Sequence, residues 1–289
     1  MSDSPLHNKT DLPTSQVLVE GTAISNTYNI ESIVIEKGIN KVSKAILVIS
    51  DGDPAEENFK ISDSDDFKPG KKIKIKLGYH NTEEDAFEGE ITSHNIKMKS
   101  FGNKVKSQLI LKCYDKALRM SLVKKTANFS EKKDSEVITS ILGDYGLSKT
   151  VAASTYKHRN LIQYNCSDWD FMLSRADANG YIILNNTAKI EVLAPVFSST
   201  AVLTLNHGVN VYSFEGEVDA TSQLKSVSIN SWDGTKLELN TGASTEPSVN
   251  AQGDLTGKVL GKAVGDPILE LTTSAPEDTE LIKSWAKAN

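Results

Sequence analysis

Cysteine is nearly absent from this chain, which has only Cys113 and Cys166 among its 289 residues. Two thiols so far apart in the sequence form neither a disulfide framework nor a metal knuckle. We expect both to be free thiols in apolar surroundings. Because the sequence offers no disulfide framework, we expect assembly in a reducing cytosol.

An excess of positive charge and long apolar runs are missing as well. The formal net charge is −6, so electrostatics give no support for general binding to nucleic acid phosphates. No stretch approaches the ~18 consecutive apolar residues of a membrane-spanning helix. Met1 to Asp11 lack the apolar segment of a secretory signal. We therefore predict no nucleic acid partner, no membrane span and about two globular domains.

The usual signatures of catalysis are also absent. The five histidines are dispersed and no HExxH pattern, G-x-S-x-G elbow or phosphate-binding glycine loop occurs. The acidic group Asp63–Asp66, near Asp51 and Asp53, does not match a calcium-binding EF-hand loop, and a solvated acidic loop is the favoured interpretation. We predict no cofactor, no metal and no catalytic residue.

The sequence does contain a segment in which apolar and lysine side chains alternate strictly. Between Lys71 and Tyr79, apolar side chains alternate with Lys72, Lys74 and Lys76, which predicts a strand with one buried and one solvated face. Further strands are predicted at Ile33–Glu36, Lys44–Ser50, Phe87–Met98 and Val105–Cys113, with turns at Asp51–Pro54, Pro69–Gly70 and Gly102–Asn103. This spacing predicts a first β-barrel over residues 16–125, behind a flexible arm of residues 1–15.

The pattern changes after Lys116, where we predict a small α+β insert over residues 126–209. Its first helix contains Ser135–Leu142, and its second follows a capping pattern formed by Ser167 and Asp170 and ends at Asn179–Gly180. A hairpin is predicted next, with strands at Tyr181–Leu184 and Ile190–Leu193 and a turn at Asn185–Asn186.

Residues 210–289 are predicted to form a second β-barrel. Its expected elements are strands at Val211–Val218, Leu224–Trp232 and Lys236–Leu239, a loop over residues 241–267 and a final helix capped by Ser274–Glu277. Residues 41–50 faintly resemble residues 222–231, which hints that the two barrels are related. Because the sequence stops at Asn289 within a predicted helix, we expect a longer protein with a spike region beyond it.

Several motifs resemble those of VgrG and the phage tail-hub proteins (late control protein D type). Asp51–Pro54, Phe67–Gly70, Ile73–Tyr79 and Phe87–Ile91 are similar to the first barrel of that family. The segment from Gln163 to Met172, continued by Ala178–Tyr181, resembles its most distinctive motif, and Glu246–Gly257 resembles the stretch before the spike. The resemblance covers about residues 16–289, in matching order.

The resemblance implies a homotrimeric hub of a contractile injection system, whether type VI secretion, a phage tail or an extracellular injection particle. Two related tube-docking barrels per chain would match a sixfold inner tube to a threefold spike and nucleate tube and baseplate assembly. The implied partners are further copies of the chain, an Hcp-like hexameric tube protein, baseplate proteins, and a spike tip or effector cargo held by the region beyond residue 289. Such a particle assembles in the bacterial cytoplasm and acts as a secreted, virion-like or cell-attached machine.

Two sets of residues are candidates for roles in such a hub. Lys72, Lys74 and Lys76 are candidates for tube docking, against the simpler interpretation of a solvated strand face. Ser167, Asp168, Trp169, Asp170, Phe171 and Gly180 form the structural motif, in which Trp169 and Phe171 would hold the insert against the barrels. Trp232 and Trp285 are expected in the core. A cell-wall hydrolase and a monomeric β-rich binding module remain the alternatives.

Overall fold

Three groups of secondary-structure elements follow one another along the chain. The computed structural model describes residues 13–52, 58–79, 82–101, 104–187, 189–196, 201, 204–208, 211, 213–234, 236–244, 254–273 and 279–288, and the fold is stated for these residues. The arm up to residue 12, the turn at Gly102–Asn103 and the cap at Ser274–Glu277 lie outside them, as do residues 53 and 54 of the Asp51–Pro54 turn and most of Glu246–Gly257.

The first group is one antiparallel sheet of seven strands in the order β2-β1-β5-β6-β7-β4-β3. The strands are β1 (Pro13–Val19), β2 (Thr22–Ala23), β3 (Ile30–Glu36), β4 (Lys44–Ser50), β5 (Lys72–Tyr79), β6 (Thr82–Phe101) and β7 (Lys104–Tyr114). The predicted barrel does not close by hydrogen bonds among the described residues, because β3 pairs only with β4 and leaves the sheet open at that edge.

A single strand, β6, holds the two halves of this sheet together. Residues 82–90 pair with β5, and residues 90–101 pair with β7. A bulge between Ile91 and Ser93 marks the change of partner. The alternation predicted for β5 is confirmed, since Ile73 and Ile75 are buried in a core with Phe87 and Leu109.

The middle group begins with a 3-10 helix at Lys116–Ser121. It continues with β8 (Lys124–Lys133), α1 (Asp134–Asp144), β9 (Ser148–Val151), β10 (Lys157–Ser167), α2 (Asp168–Asp177), β11 (Ile182–Asn186) and β12 (Lys189–Leu193). β8 and β10 form an antiparallel ribbon, and β11, β12 and β9 form a mixed sheet. The predicted turn at Asn185–Asn186 is wrong, because these two residues belong to β11 and pair with Ile190 and Lys189 of β12.

The third group is a small mixed sheet in the order β14-β13-β15. Its elements are β13 (Ser226–Asp233), β14 (Glu238–Ser244), α3 (Gly257–Ala263), β15 (Ile268–Thr273) and α4 (Thr279–Ala288). No second barrel and no strand at Val211–Val218 occur among the described residues, so both predictions fail there. The predicted loop over residues 241–267 is wrong in part, since it contains the end of β14 and all of α3.

Each group buries its own hydrophobic cluster. The first and middle clusters each include more than ten buried side chains, whereas the third consists of Val227, Ile229, Ile282 and Ala286. Trp285 packs against this third cluster as expected, but Trp232 is 52% exposed, so its predicted place in the core is wrong. None of the described helices is long and apolar enough to span a membrane.

Candidate interaction site

The lysine row of β5 faces a row of carboxylates on β6. The strand register places Lys72 opposite Glu90 and Lys74 opposite Glu88. The Nζ atom of Lys74 lies 2.7 Å from Asp85 Oδ2 and 3.6 Å from a carboxylate oxygen of Glu88. Opposite charges on neighbouring strands attract one another, so this face is a ladder of both signs rather than a bare cationic surface.

The electrostatics of this ladder follow from its exposure. The hydrogen bond from Lys74 lowers the pKa of the Asp85 carboxyl, and the same contact raises the pKa of Lys74. The Nζ atom of Lys76 also lies 3.8 Å from Asp85 Oδ1. Because exposed ion pairs contribute only about 0–1 kcal/mol each, the ladder leaves these side chains available for contacts outside the chain.

Ser167 caps helix α2, as the sequence predicts. Its Oγ atom accepts a hydrogen bond from the Asp170 backbone N–H at 3.1 Å and donates to Asp170 Oδ2 at 2.6 Å. In a full capping box, the side chain at this position would accept a hydrogen bond from the backbone N–H of the cap residue. The Asp170 carboxylate instead accepts from the Ser167 hydroxyl, consistent with its side chain being one methylene shorter than that of Glu.

Asp168 is the centre of a buried polar network. Its carboxylate accepts hydrogen bonds from Lys125 at 2.6 Å, Tyr145 at 2.6 Å and Gln163 at 2.9 Å. Burial raises the pKa of this carboxyl, but these three donors lower it by more, so the pKa lies below its ordinary value. The network joins β8, the end of α1, the bulge of β10 and the start of α2. The structural role of Asp168 stays a prediction, which this network supports.

Trp169 and Phe171 lie in the core of the middle group. The Phe171 ring stacks on Phe129 with ring centroids 5.9 Å apart, and the same cluster includes Ala117 and Met120 from the 3-10 helix that follows the first sheet. Gly180 follows α2 with φ +66°, a conformation that favours glycine. That these residues hold the insert against the first sheet remains a prediction, and the contact through the 3-10 helix is what supports it.

The hydrolase alternative requires a nucleophile, a base and a carboxylate to lie within hydrogen-bond distance of one another. Buried Asp134 and His158 come closest, with Oδ2 and Nε2 3.1 Å apart. The nearby Ser154 hydroxyl instead donates to Ser135 at 3.2 Å. Among the residues that the structure describes, no three potential metal-ligating side chains cluster together. The described part of the chain therefore gives us no active site to assign.

Comparison with known families gives one match over nearly the whole chain. The family model for the Alg8 N-terminal domain matches residues 9–289. No curated protein sequence matches the chain significantly.

Three solved structures show the same fold. The 43 kDa tail protein of prophage MuSo2 from Shewanella oneidensis is 11% identical with a TM-score of 0.65, over 95% of this chain and 77% of that one. The tail protein from Neisseria meningitidis MC58 is 12% identical with a TM-score of 0.63, over 95% and 74%. A chain of the Francisella PdpA-VgrG complex (lidded form) is 10% identical with a TM-score of 0.53, over 95% of this chain but only 42% of that one.

These comparisons confirm the resemblance to tail and spike proteins at the level of the fold. The similar structures are tail proteins and a VgrG-containing complex rather than enzymes. At such low identity the fold is what they share, and function does not follow from fold alone.

Proposed function

The chain belongs to the Alg8 N-terminal domain family, and we propose, from its likeness to tail proteins, that it is a structural subunit of a tail-like injection particle. The observation that carries this proposal is the likeness of 95% of the chain to two tail proteins with TM-scores of 0.65 and 0.63. Within such a particle we assign the chain to the hub between the inner tube and the spike, assembled in the bacterial cytoplasm.

The open edges of the sheets support self-association into a homotrimer. Among the residues that the structure describes, β3 ends the first sheet with one partner, and β14 and β15 each have one partner in the third sheet. Exposed strand edges carry unpaired backbone groups that another chain can pair with. The third sheet also has a half-exposed apolar side chain, Trp232. A closed ring of three copies would cover such edges.

Docking to an Hcp-like tube is proposed for the ladder face of β5 and β6. Because Lys74 and Lys76 already face Asp85, the complementary tube surface has to offer both signs of charge rather than an acidic ring alone. Specific orientation is the main benefit of such mixed-charge contacts. Baseplate proteins and a spike tip or cargo are further partners of the proposed hub.

Absolute mass by light scattering, with negative-stain images of the same peak, tests the hub. We expect a threefold ring, and we expect the full-length gene product to co-purify with its inner tube protein. A full-length product that is monomeric and does not bind the tube would overturn the proposal.

A lysine series then tests the docking face. Lys72→Gln, Lys74→Gln and Lys76→Gln together should weaken tube binding at least tenfold without disturbing the trimer. The matched control is Lys157→Gln with Lys236→Gln, which removes exposed, ion-paired lysines elsewhere. Equal tube binding by the triple variant and the control would remove this face from the proposal.

A further inference from the structure

The two ends of β6 carry opposite charge. Residues 82–90, which pair with β5, include five carboxylates and no basic residue. Residues 91–114, which form the hairpin of β6 and β7, include five lysines and no acidic residue. On the other strand of the first hairpin, β5 adds Lys72, Lys74 and Lys76, so residues 72–90 hold five carboxylates and three lysines. The first hairpin is therefore net acidic and the second is net basic.

Each end also exposes an apolar stripe that begins in the core. On β5 the core-facing stripe starts with buried Ile75 and continues to Leu77, 38% exposed, and Tyr79, 58% exposed. On the β6–β7 hairpin, Ile96 is 44% exposed and Met98 is 62% exposed. Each stripe continues from buried positions to exposed ones, and the two stripes lie at opposite ends of β6.

Some charges at these ends form ion pairs within the chain, such as Asp85 with Lys74 and Lys106 with Glu31, but others have no partner of opposite sign among the described residues. Glu84 lies directly opposite Leu77, and Lys97 and Lys99 flank Met98. Unlike Lys74, neither Glu84 nor these two lysines forms an ion pair with any residue in the described ranges. From Thr82 to Met98 the strand is roughly 50 Å long at ~3.3 Å per residue. The two ends therefore do not neutralise each other within one chain.

We propose that the two ends are the two halves of one interface between copies of this chain, the basic hairpin end of one copy binding the acidic hairpin end of the next. Contact between Leu77 and Tyr79 on one side and Ile96 and Met98 on the other supplies apolar burial. The charges set the orientation, because acidic against acidic or basic against basic would repel. Such a head-to-tail interface generates a ring or an open array, and the inference rests on the proposed hub, whose ring it would help to form.

Site-specific cross-linking tests the pairing directly. In a Cys166→Ser background, one chain carries Tyr79→Cys and a second carries Met98→Cys. Burial raises the pKa of the remaining Cys113 thiol to about 12, so that thiol stays unreactive. With a short bis-maleimide we expect the 79–98 heterodimer to exceed either homodimer at least fivefold.

A matched control and a charge swap complete the experiment. Tyr164→Cys is the control, because Tyr164 is even more exposed than Tyr79 and Met98 but lies on β10. Lys97→Glu with Lys99→Glu should lower the heterodimer yield at least tenfold, and Glu83→Lys with Glu84→Lys on the other chain should restore it. Homodimers as abundant as the heterodimer, equal cross-linking of the control, or no response to charge reversal would each overturn the inference.

The outcomes separate this inference from the proposed function. A threefold ring whose cross-links do not join the two ends leaves the hub in place and rejects the interface. A 79–98 cross-link in a full-length product that never binds a tube supports the interface and rejects the hub.

Discussion

The middle and third sheets have the same pattern of parallel and antiparallel strand pairing, but they differ in the helices that cover them. In each, a central strand pairs antiparallel with one neighbour and parallel with the other: β12 between β11 and β9, and β13 between β14 and β15. The middle group packs α1, α2 and the 3-10 helix into a cluster of fourteen buried hydrophobic side chains, whereas the described residues of the third group include four such side chains. Strand pairing alone therefore does not make a self-sufficient core, since a sheet this small depends on what covers it.

The largest expected effect comes from removing one tryptophan from each group. Trp169→Ala should lower the free energy of unfolding by ~3–5 kcal/mol, because Trp169 is 6% exposed and its loss leaves a cavity. Trp232→Ala should cost less than about 1 kcal/mol, because half of that side chain is already in water. Urea unfolding followed by circular dichroism measures both. Equal losses of unfolding free energy in the two variants would contradict this difference between the middle and third groups.

A change of one methyl group tests how closely α4 covers the third sheet. A Cβ atom at Gly242 would lie 2.6 Å from Ile282 Cγ2 and 2.7 Å from the Ile282 backbone carbon. Gly242→Ala should therefore displace α4 and cost ~1–3 kcal/mol, seen as a change in Trp285 fluorescence. Gly234→Ala is the control, since nothing lies within 4 Å of its added Cβ. Unchanged fluorescence in both variants would contradict the packing described.

The polar network of the middle group predicts a pH dependence. The folded-state pKa of Asp168 lies below its unfolded value, so its contribution to stability is present above about pH 4 and is lost as the pH falls through the folded-state pKa. Asp168→Asn should cost about 1–2 kcal/mol at pH 7 and should flatten the stability profile below pH 4. Urea midpoints from pH 2 to pH 7 check this, and parallel profiles for both proteins would contradict it.

The smallest effect is expected outside both sheets. Lys74→Gln removes an exposed pair with Asp85 and should change the free energy of unfolding by less than about 0.5 kcal/mol. The same urea series measures it. A loss above 1 kcal/mol would mean that the ladder is structural, and a docking defect in lysine variants would then have a second explanation.

The elements that could be predicted from sequence are those specified locally. The cap at Ser167 and the alternation of β5 depend on residues within a few positions of one another, and both are confirmed. Strand β8 was missed because Lys124–Lys133 has no clear apolar alternation, and it is a strand only because β10 pairs with it. Pairing between distant segments leaves no local pattern to detect.

The faint repeat between residues 41–50 and 222–231 illustrates the same limit. In β4 the buried positions are 45, 47 and 49, which align with 226, 228 and 230. In β13 the buried positions are 227, 229 and 231 instead. A shift of one residue exchanges the two faces of a strand, so the aligned residues do not occupy equivalent places and the repeat was a poor guide to a second barrel.

Only the lysines of the candidate site were identified from the sequence. Lys72, Lys74 and Lys76 were found because they alternate on one strand. Their carboxylate partners, and the opposite charge at the far end of β6, required the register between β5, β6 and β7. The acidic run from Glu83 to Glu90 was the signal that could have indicated them.

The length of β6 has a mechanical consequence for any machine that pushes or pulls on this chain. The strand passes without a break from one hairpin to the other, so a force applied between its two ends is carried by covalent backbone. Its hydrogen bonds to β5 and β7 run across the strand, and tension along the strand would load them together in shear instead of opening them one after another. A subunit built in this way resists stretching along β6 far better than peeling at its edge strand β3.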